Sequence, residues 1–165
     1  MKLRLILLND LFYRGMGPQG PAGRTIISSY GERYLDTQQT LQLTKDTETL
    51  VPLNNSGPAF DANYDTENAI GIQVSDFYLI SYFFSGNPSV DCTLTFMLRS
   101  NGSPLPSSNI NAFFKQNTLN NVSNTIIAVL KADEVLTLNV RSSEDTSISF
   151  KELTNVVLTM VKIDF

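Results

Sequence analysis

Residues 77–84 read Phe-Tyr-Leu-Ile-Ser-Tyr-Phe-Phe, and this stretch decides the fold. Side chains of an extended strand alternate between two faces. Phe77, Leu79 and Phe83 therefore fall on one side, and Tyr78, Ile80, Tyr82 and Phe84 on the other. Both faces are apolar, whereas an antiparallel strand normally buries one face and wets the other. The last strand candidate, Val156–Ile163, repeats the trait, with Val157, Val161, Ile163 and Phe165 opposed to Val156, Leu158 and Met160. A sheet apolar on both sides needs a second partner, expected here to be another copy of the chain. A central strand covered twice by its own chain is the alternative. The residues expected to supply core and subunit contacts are Phe77, Tyr78, Ile80, Tyr82, Phe84, Val156, Leu158 and Met160.

Working outward, short strand candidates follow one another at close spacing: Thr40–Thr44, Thr49–Leu53, Ile70–Val74, Cys92–Ser100, Ser123–Lys131, Val135–Arg141 and Ser147–Phe150. The breaks carry turn chemistry at Asn54-Asn55-Ser56-Gly57-Pro58, Ser85-Gly86-Asn87-Pro88, Asn101-Gly102 and Ser142-Ser143-Glu144-Asp145. Asn101-Gly102 is a hairpin signal, with Pro104 and Pro106 ending the next strand early. The chain holds 15 Asn, 16 Ser and 15 Thr, side chains suited to wet strand faces and turns, and no long amphipathic helix is visible. Many short strands with turns between them predict an all-β sandwich or jelly roll.

Composition narrows the chemistry. The 165 residues include no His, no Trp and one Cys, with a net charge of −4. Without His, Ser-His and Cys-His catalysis and His-containing zinc sites are excluded. One Cys makes no internal disulfide. The acidic balance argues against nucleic acid, which calls for a basic face. Cys92 falls on the apolar side of its strand with Val90, Leu94, Phe96 and Leu98, as a small buried hydrophobe would. Asp61-Ala62-Asn63-Tyr64-Asp65 opens like a calcium loop, but Thr66 stands where such a loop needs Gly and Ile72 where it needs Glu. It reads as a solvated surface loop. Glu32, Arg33, Asp36, Asp133, Glu134, Glu144 and Asp145 lie beside turn residues and read as solvated charges. The three Asn-x-Ser matches, beginning at Asn54, Asn101 and Asn121, carry little weight in so Asn-rich a chain. No catalytic residue, metal ligand or cofactor site is expected.

The first 25 residues differ from the rest. Leu3, Leu5, Ile6, Leu7, Leu8, Leu11, Phe12 and Tyr13 form an apolar cluster, whose uninterrupted run from Leu5 to Leu8 is too short for a membrane span. No small-residue cleavage site follows, so neither a secretory nor a membrane segment is expected. Strand and helix readings of this cluster fit almost equally well. Next come Gly17-Pro18, Gly20-Pro21 and Gly23, the triplet spacing of a collagen chain, in which only Gly fits at the axis. A flexible Pro/Gly linker is the alternative. Exposed apolar tails need a docking site, on their own head or on a neighbour.

Together the collagen-type run, the aromatic strand GIQVSDFYLISYFFSG (Gly71–Gly86), CTLTFMLRSNGSPL (Cys92–Leu105) and TIIAVLKADEVLTLNV (Thr125–Val140) resemble the jelly-roll heads of the complement first-component and tumour necrosis factor group. They are most similar to the collagen-like glycoproteins of the bacterial exosporium. The similarity covers residues 36–165 for the head and 17–25 for the collagen run. Phe77, Tyr78, Ser81 and Tyr82 approximate the signature of the aromatic strand, while Ala132-Asp133-Glu134 stands where the family has Ala-Gly-Asp. Only three triplets replace the usual long stalk. The resemblance implies a homotrimeric antiparallel jelly-roll head without catalytic residues to transfer, set on a spore surface.

The expected layout is an N-terminal connector (residues 1–16), a short collagen-like neck (17–25) and a jelly-roll head (26–165). The expected function is structural: a homotrimer whose connector docks into a neighbouring trimer, building a surface fibre or spore appendage. A terminal receptor- or ligand-binding head, such as a phage fibre tip or lectin-like binder anchored through its N-terminus, is the alternative, and a small-ligand or calcium-dependent module a third. The expected partners are the chain itself and a spore-surface anchoring protein, with neither nucleic acid nor membrane.

Overall fold

The computed structural model describes residues 28–163. The connector (Leu3, Leu5, Ile6, Leu7, Leu8, Leu11, Phe12, Tyr13), the neck (Gly17, Pro18, Gly20, Pro21, Gly23) and Phe165 lie outside the described residues. The strands are β1 (Tyr30–Leu35), β2 (Thr40–Leu43), β3 (Glu48–Leu50), β4 (Asn55–Phe60), β5 (Ala62–Asn63), β6 (Ala69–Ile72) and β7 (Asp76–Pro88). They continue as β8 (Cys92–Ser100), β9 (Ser103–Pro104), β10 (Ile110–Phe114), β11 (Asn120–Leu130), β12 (Val135–Ser142), β13 (Thr146–Ser149) and β14 (Val156–Lys162). No helical turn occurs among the described residues.

The strands form two packed sheets, and every ladder joining them is antiparallel. One runs β2-β13-β7-β14-β1-β4, with β11 also on β7; the other runs β10-β8-β12-β6-β5, with β3 on β12 and β9 on β8. The inward rows interlock. Tyr78, Ile80, Tyr82 and Phe84 of β7, with Val156, Leu158 and Met160 of β14, meet Leu94, Phe96 and Leu98 of β8 and Leu136, Leu138 and Val140 of β12, all buried. Phe84 sits at the centre of an aromatic knot, its ring centroid 4.8 Å from Phe96, 5.5 Å from Phe150 and 6.0 Å from Phe114. Such edge and tilted pairs each add about 1 kcal/mol beyond the area they bury.

Two breaks expected from turn residues are strands. Ser85-Gly86-Asn87-Pro88 continues β7, and Asn55–Phe60 forms β4. In the first, Ser85 N–H donates to Asn155 O at 2.7 Å and Asn87 pairs with Ser149. Gly86 permits this because an added Cβ would lie 2.4 Å from Ile148 Cγ2. In the second, β1 pairs with β4 through a register shift between Gly31 and Arg33, and Pro58 falls on the edge strand, where a missing N–H is tolerated. The calcium-like loop is also part of a sheet. Asp61 takes a positive φ of 50°, after which Ala62 and Asn63 pair with Ile72 and Gly71. The Asn101-Gly102 hairpin is present, with φ of 47° and 78°, as a type I′ turn demands. β9 after it is two residues long, ending at Pro104. Asp133 holds the left-handed turn position at φ 68°.

Candidate self-association surface

The feature that sets this molecule apart is the outer face of the sheet containing β7. Cross-strand register aligns Ile127 with Leu79, Leu79 with Val161, and Val161 with Tyr30, while Tyr30 pairs with Phe60. That apolar row crosses five strands, roughly 19 Å at the usual strand spacing. Val129 and Phe77 pair beside it, and Phe83, Val157 and Tyr34 form a second row four residues along β7 from Leu79. Ile127 is 62 % exposed, Val129 55 % and Phe77 46 %. Tyr30 and Phe60 stack with ring centroids 6.3 Å apart.

Between the two apolar rows runs a polar stripe of Thr125, Ser81, Thr159 and Glu32. Ser81 Oγ and Thr125 Oγ1 share a hydrogen bond of 2.9 Å, and Thr159 Oγ1 donates to Ser81 O at 3.4 Å. The three hydroxyls are thus bonded within the sheet and do not need water, so the part of the stripe they form, Glu32 apart, can be covered at little cost. Apolar surface of this width is more than scattered single residues and makes this face the candidate contact surface.

Of the residues named from sequence, Tyr78, Ile80, Tyr82, Phe84, Val156, Leu158 and Met160 all point into the chain's own core. Phe77 lies on the outer face, together with Leu79, Phe83, Val157 and Val161, the partition that alternation assigns. Ile127, Val129, Tyr30 and Phe60 were not singled out. The alternation of Thr125–Leu130, where Ile127 and Val129 oppose Ile126, Ala128 and Leu130, carries the signal for the first two.

The other chemical candidates are dispersed. Cys92 is 2 % exposed, and burial pushes its thiol pKa up. Asp61 Oδ2 accepts from Ser29 Oγ at 3.4 Å, Asp36 Oδ1 from Asn55 Nδ2 at 2.6 Å, and Asp145 Oδ1 from Lys45 N at 2.7 Å. Glu144 pairs with Lys45 at 3.3 Å. Glu134 has its carboxyl pKa lowered, first by the Lys131 backbone N–H and also by the Ser100 hydroxyl. Asn101, which opens one of the three Asn-x-Ser matches, accepts from Val135 N–H through its side-chain oxygen at 2.9 Å. Among the described residues no three Asp, Glu or Cys side chains gather into a metal-holding group. Arg33 departs from its expected solvated state, being buried to 7 % exposure.

Two facing antiparallel sheets in this strand order define a tumour necrosis factor-like jelly roll. The chain superposes on the Eiger tumour necrosis factor of S. frugiperda with a TM-score of 0.55, at 13 % identity, covering 84 % of this chain and 92 % of that one. It superposes on murine APRIL, in the crystal form at pH 5.0, with a TM-score of 0.52 at 11 % identity, covering 82 % and 99 %. No protein-family model matches the sequence, and no curated protein matches it.

Proposed function

We propose that this protein is a non-enzymatic structural subunit. Three copies associate through the outer face of the β7 sheet, and the N-terminal connector of each trimer docks into a neighbouring trimer to extend a surface fibre or spore appendage. One observation carries the reading: a five-strand apolar row on the outside of a complete sandwich, from Ile127 through Leu79 and Val161 to Tyr30 and Phe60. The sandwich already has its own core, so this surface is surplus to the fold of one chain. A tail-to-head contact between trimers joins two different surfaces, and unless its rotation closes, it propagates as a filament. The spore surface and an anchoring protein there follow from the exosporium resemblance alone.

The test is to purify the full chain and a version lacking residues 1–14, and to examine both by light scattering and negative-stain electron microscopy. Fibres from the full chain and discrete trimers from the shortened one are expected. Discrete trimers from both would replace self-assembly by a head anchored on a different scaffold. Monomers from both would overturn the trimer itself.

A further inference from the structure

β11 is an open edge. It pairs with β7 from Asn120 to Leu130 and, among the described residues, with no strand on its other side. Sheet edges are where a further strand can add, and proteins blunt them with short strands, Pro or charge. The other edges here follow that rule. β2, β3, β5 and β10 are two to five residues long, and β4 and β9 carry Pro58 and Pro104. β11 runs for 11 residues without Pro, Gly or a charged side chain.

The pairing shows which of its backbone groups point away from the sheet. Ile163 N–H donates to Phe77 O at 2.9 Å, so the peptide groups of Phe77 face the β14 side and not β11. Val129 stands opposite Phe77 and therefore belongs to a pair that exchanges no bonds, its own N–H and C=O turned to the open side. By alternation the same holds for Ile127 and Thr125. Thr125 agrees, because its N–H donates to its neighbour's side chain, Asn124 Oδ1, at 2.8 Å and not to β7. Ile127 and Val129 have no such local acceptor among the described residues. Their side chains are also the most exposed apolar groups on this face.

We propose that the connector of a neighbouring trimer adds to this edge as a further strand, residues 3–8 lying alongside Thr125–Leu130. The inference rests on the fibre reading above and names the surface that the connector takes. Leu3 to Leu8 is a run without Pro or Gly, with Leu3, Leu5 and Leu7 on one alternating side and Ile6 and Leu8 on the other. The edge it meets is apolar on both sides too, Ile127 and Val129 outside, Ile126, Ala128 and Leu130 inside. Main-chain bonds hold such an added strand, and its alternate side chains cover the rows beside it. Charge is complementary. Residues 1–25 hold four cations and one carboxylate, whereas residues 26–165 hold eight cations and fifteen carboxylates. Reach is sufficient, since the 19 residues from 9 to 27 extend to roughly 60 Å, against roughly 36 Å for the whole of β11. Edge pairing uses backbone groups, so the outward side chains of β7 and β14 stay available for contacts within a trimer.

Hydrogen exchange and negative-stain electron microscopy of the full chain test this. In fibres the Ile127 and Val129 amides are expected to exchange slowly, and in the version lacking residues 1–14 that protection should be lost. Val129→Pro removes an edge N–H while sparing the β7 ladder, and Leu5→Pro blocks the added strand without touching the head. Each should abolish fibres and leave the trimer mass by light scattering unchanged. Fibres that persist in both variants, or whose Ile127 and Val129 amides exchange freely, would overturn the edge assignment and leave the fibre reading standing. Discrete trimers from the unaltered chain would overturn the fibre reading and this docking with it. Amides still protected in the shortened version would give the edge to a second copy's β11 and overturn the connector as its occupant.

Discussion

Tyr82 shows how one side chain ties this fold to pH. It points inward from β7 and is 2 % exposed, its hydroxyl 3.5 Å from Ser108 O, which Asn124 Nδ2 also approaches at 3.4 Å. Burial pushes its phenol up to about 12, against an ordinary value of about 10. Below about pH 10 the folded and unfolded chains both hold the proton, and the stability is fully present. Between about 10 and 12 the folded chain keeps a proton that the unfolded chain has released, so stability falls as pH rises through that window. Urea midpoints across this range are expected to drop, with tyrosinate absorbance appearing together with the loss of β-sheet circular dichroism. Tyr82→Phe should flatten the decline without abolishing it, because burial also raises Tyr78. A decline unchanged in Tyr82→Phe would sink this assignment.

At the scale of elements, β7 depends on Gly86. The strand passes so close to β13 that a Cβ there would stand 2.4 Å from Ile148 Cγ2, far inside contact distance. Gly86→Ala is expected to cost about 1–3 kcal/mol as overpacking. The same change in an Ile148→Ala background should cost less, because the clashing methyl is gone, and thermal unfolding of the four proteins measures the difference. Additive losses would show that the glycine is needed for some other reason.

That glycine also shows where the sequence is readable and where it is not. Cys92–Ser100 is delimited correctly because alternation and turn residues agree. Ser85–Pro88 and Asn54–Pro58 are misread as breaks because Gly and Pro signal turns locally, while the strand pairing of Asn87 is supplied by Ser149 and that of Asn55 and Ser56 by Tyr34 and Arg33, distant in the chain. β1 was missed because its inward positions are Gly31, Arg33 and Leu35, a pattern with a void and a cation where apolar residues are looked for. The burial of Arg33 is equally hidden: its carbonyl partners lie 20 to 36 positions away, and no local pattern announces them. By contrast the two-faced character of β7 is complete within eight residues, and Phe77, Leu79 and Phe83 of the apolar surface can be read there.

For the whole molecule the telling comparison is between the outsides of the two sheets. On the β8–β12 sheet the outward positions of β8 are Thr93, Thr95, Met97 and Arg99; Arg141, Asn139 and Thr137 stand opposite the last three, Phe113 beside Thr93 and Leu50 beside Asn139. There Arg99 grips Glu48 through Nε–Oε1 and Nη2–Oε2, a bidentate pair that raises the Arg99 pKa further. On this face the apolar residues Phe113, Met97 and Leu50 are separated by polar partners, whereas on the β7 face they line up across five strands, so it is the continuous row and not the 42 % hydrophobic composition that distinguishes the β7 face. Leu79 is where the five-strand row crosses β7, with Ile127 on one side and Val161 on the other. It is 40 % exposed and lies between two apolar cross-strand partners, so Leu79→Glu should cost a single chain only about 1–2 kcal/mol, and thermal unfolding checks that the variant is folded. In an associated form three carboxylates would enter an apolar contact, where an unpaired charge costs several kcal/mol. Light-scattering mass is therefore expected to fall from the proposed trimer to the single chain in Leu79→Glu, while Thr95→Glu on the opposite face leaves it unchanged. An unaltered mass in Leu79→Glu, or an equal fall in both, would remove the β7 face from the contact.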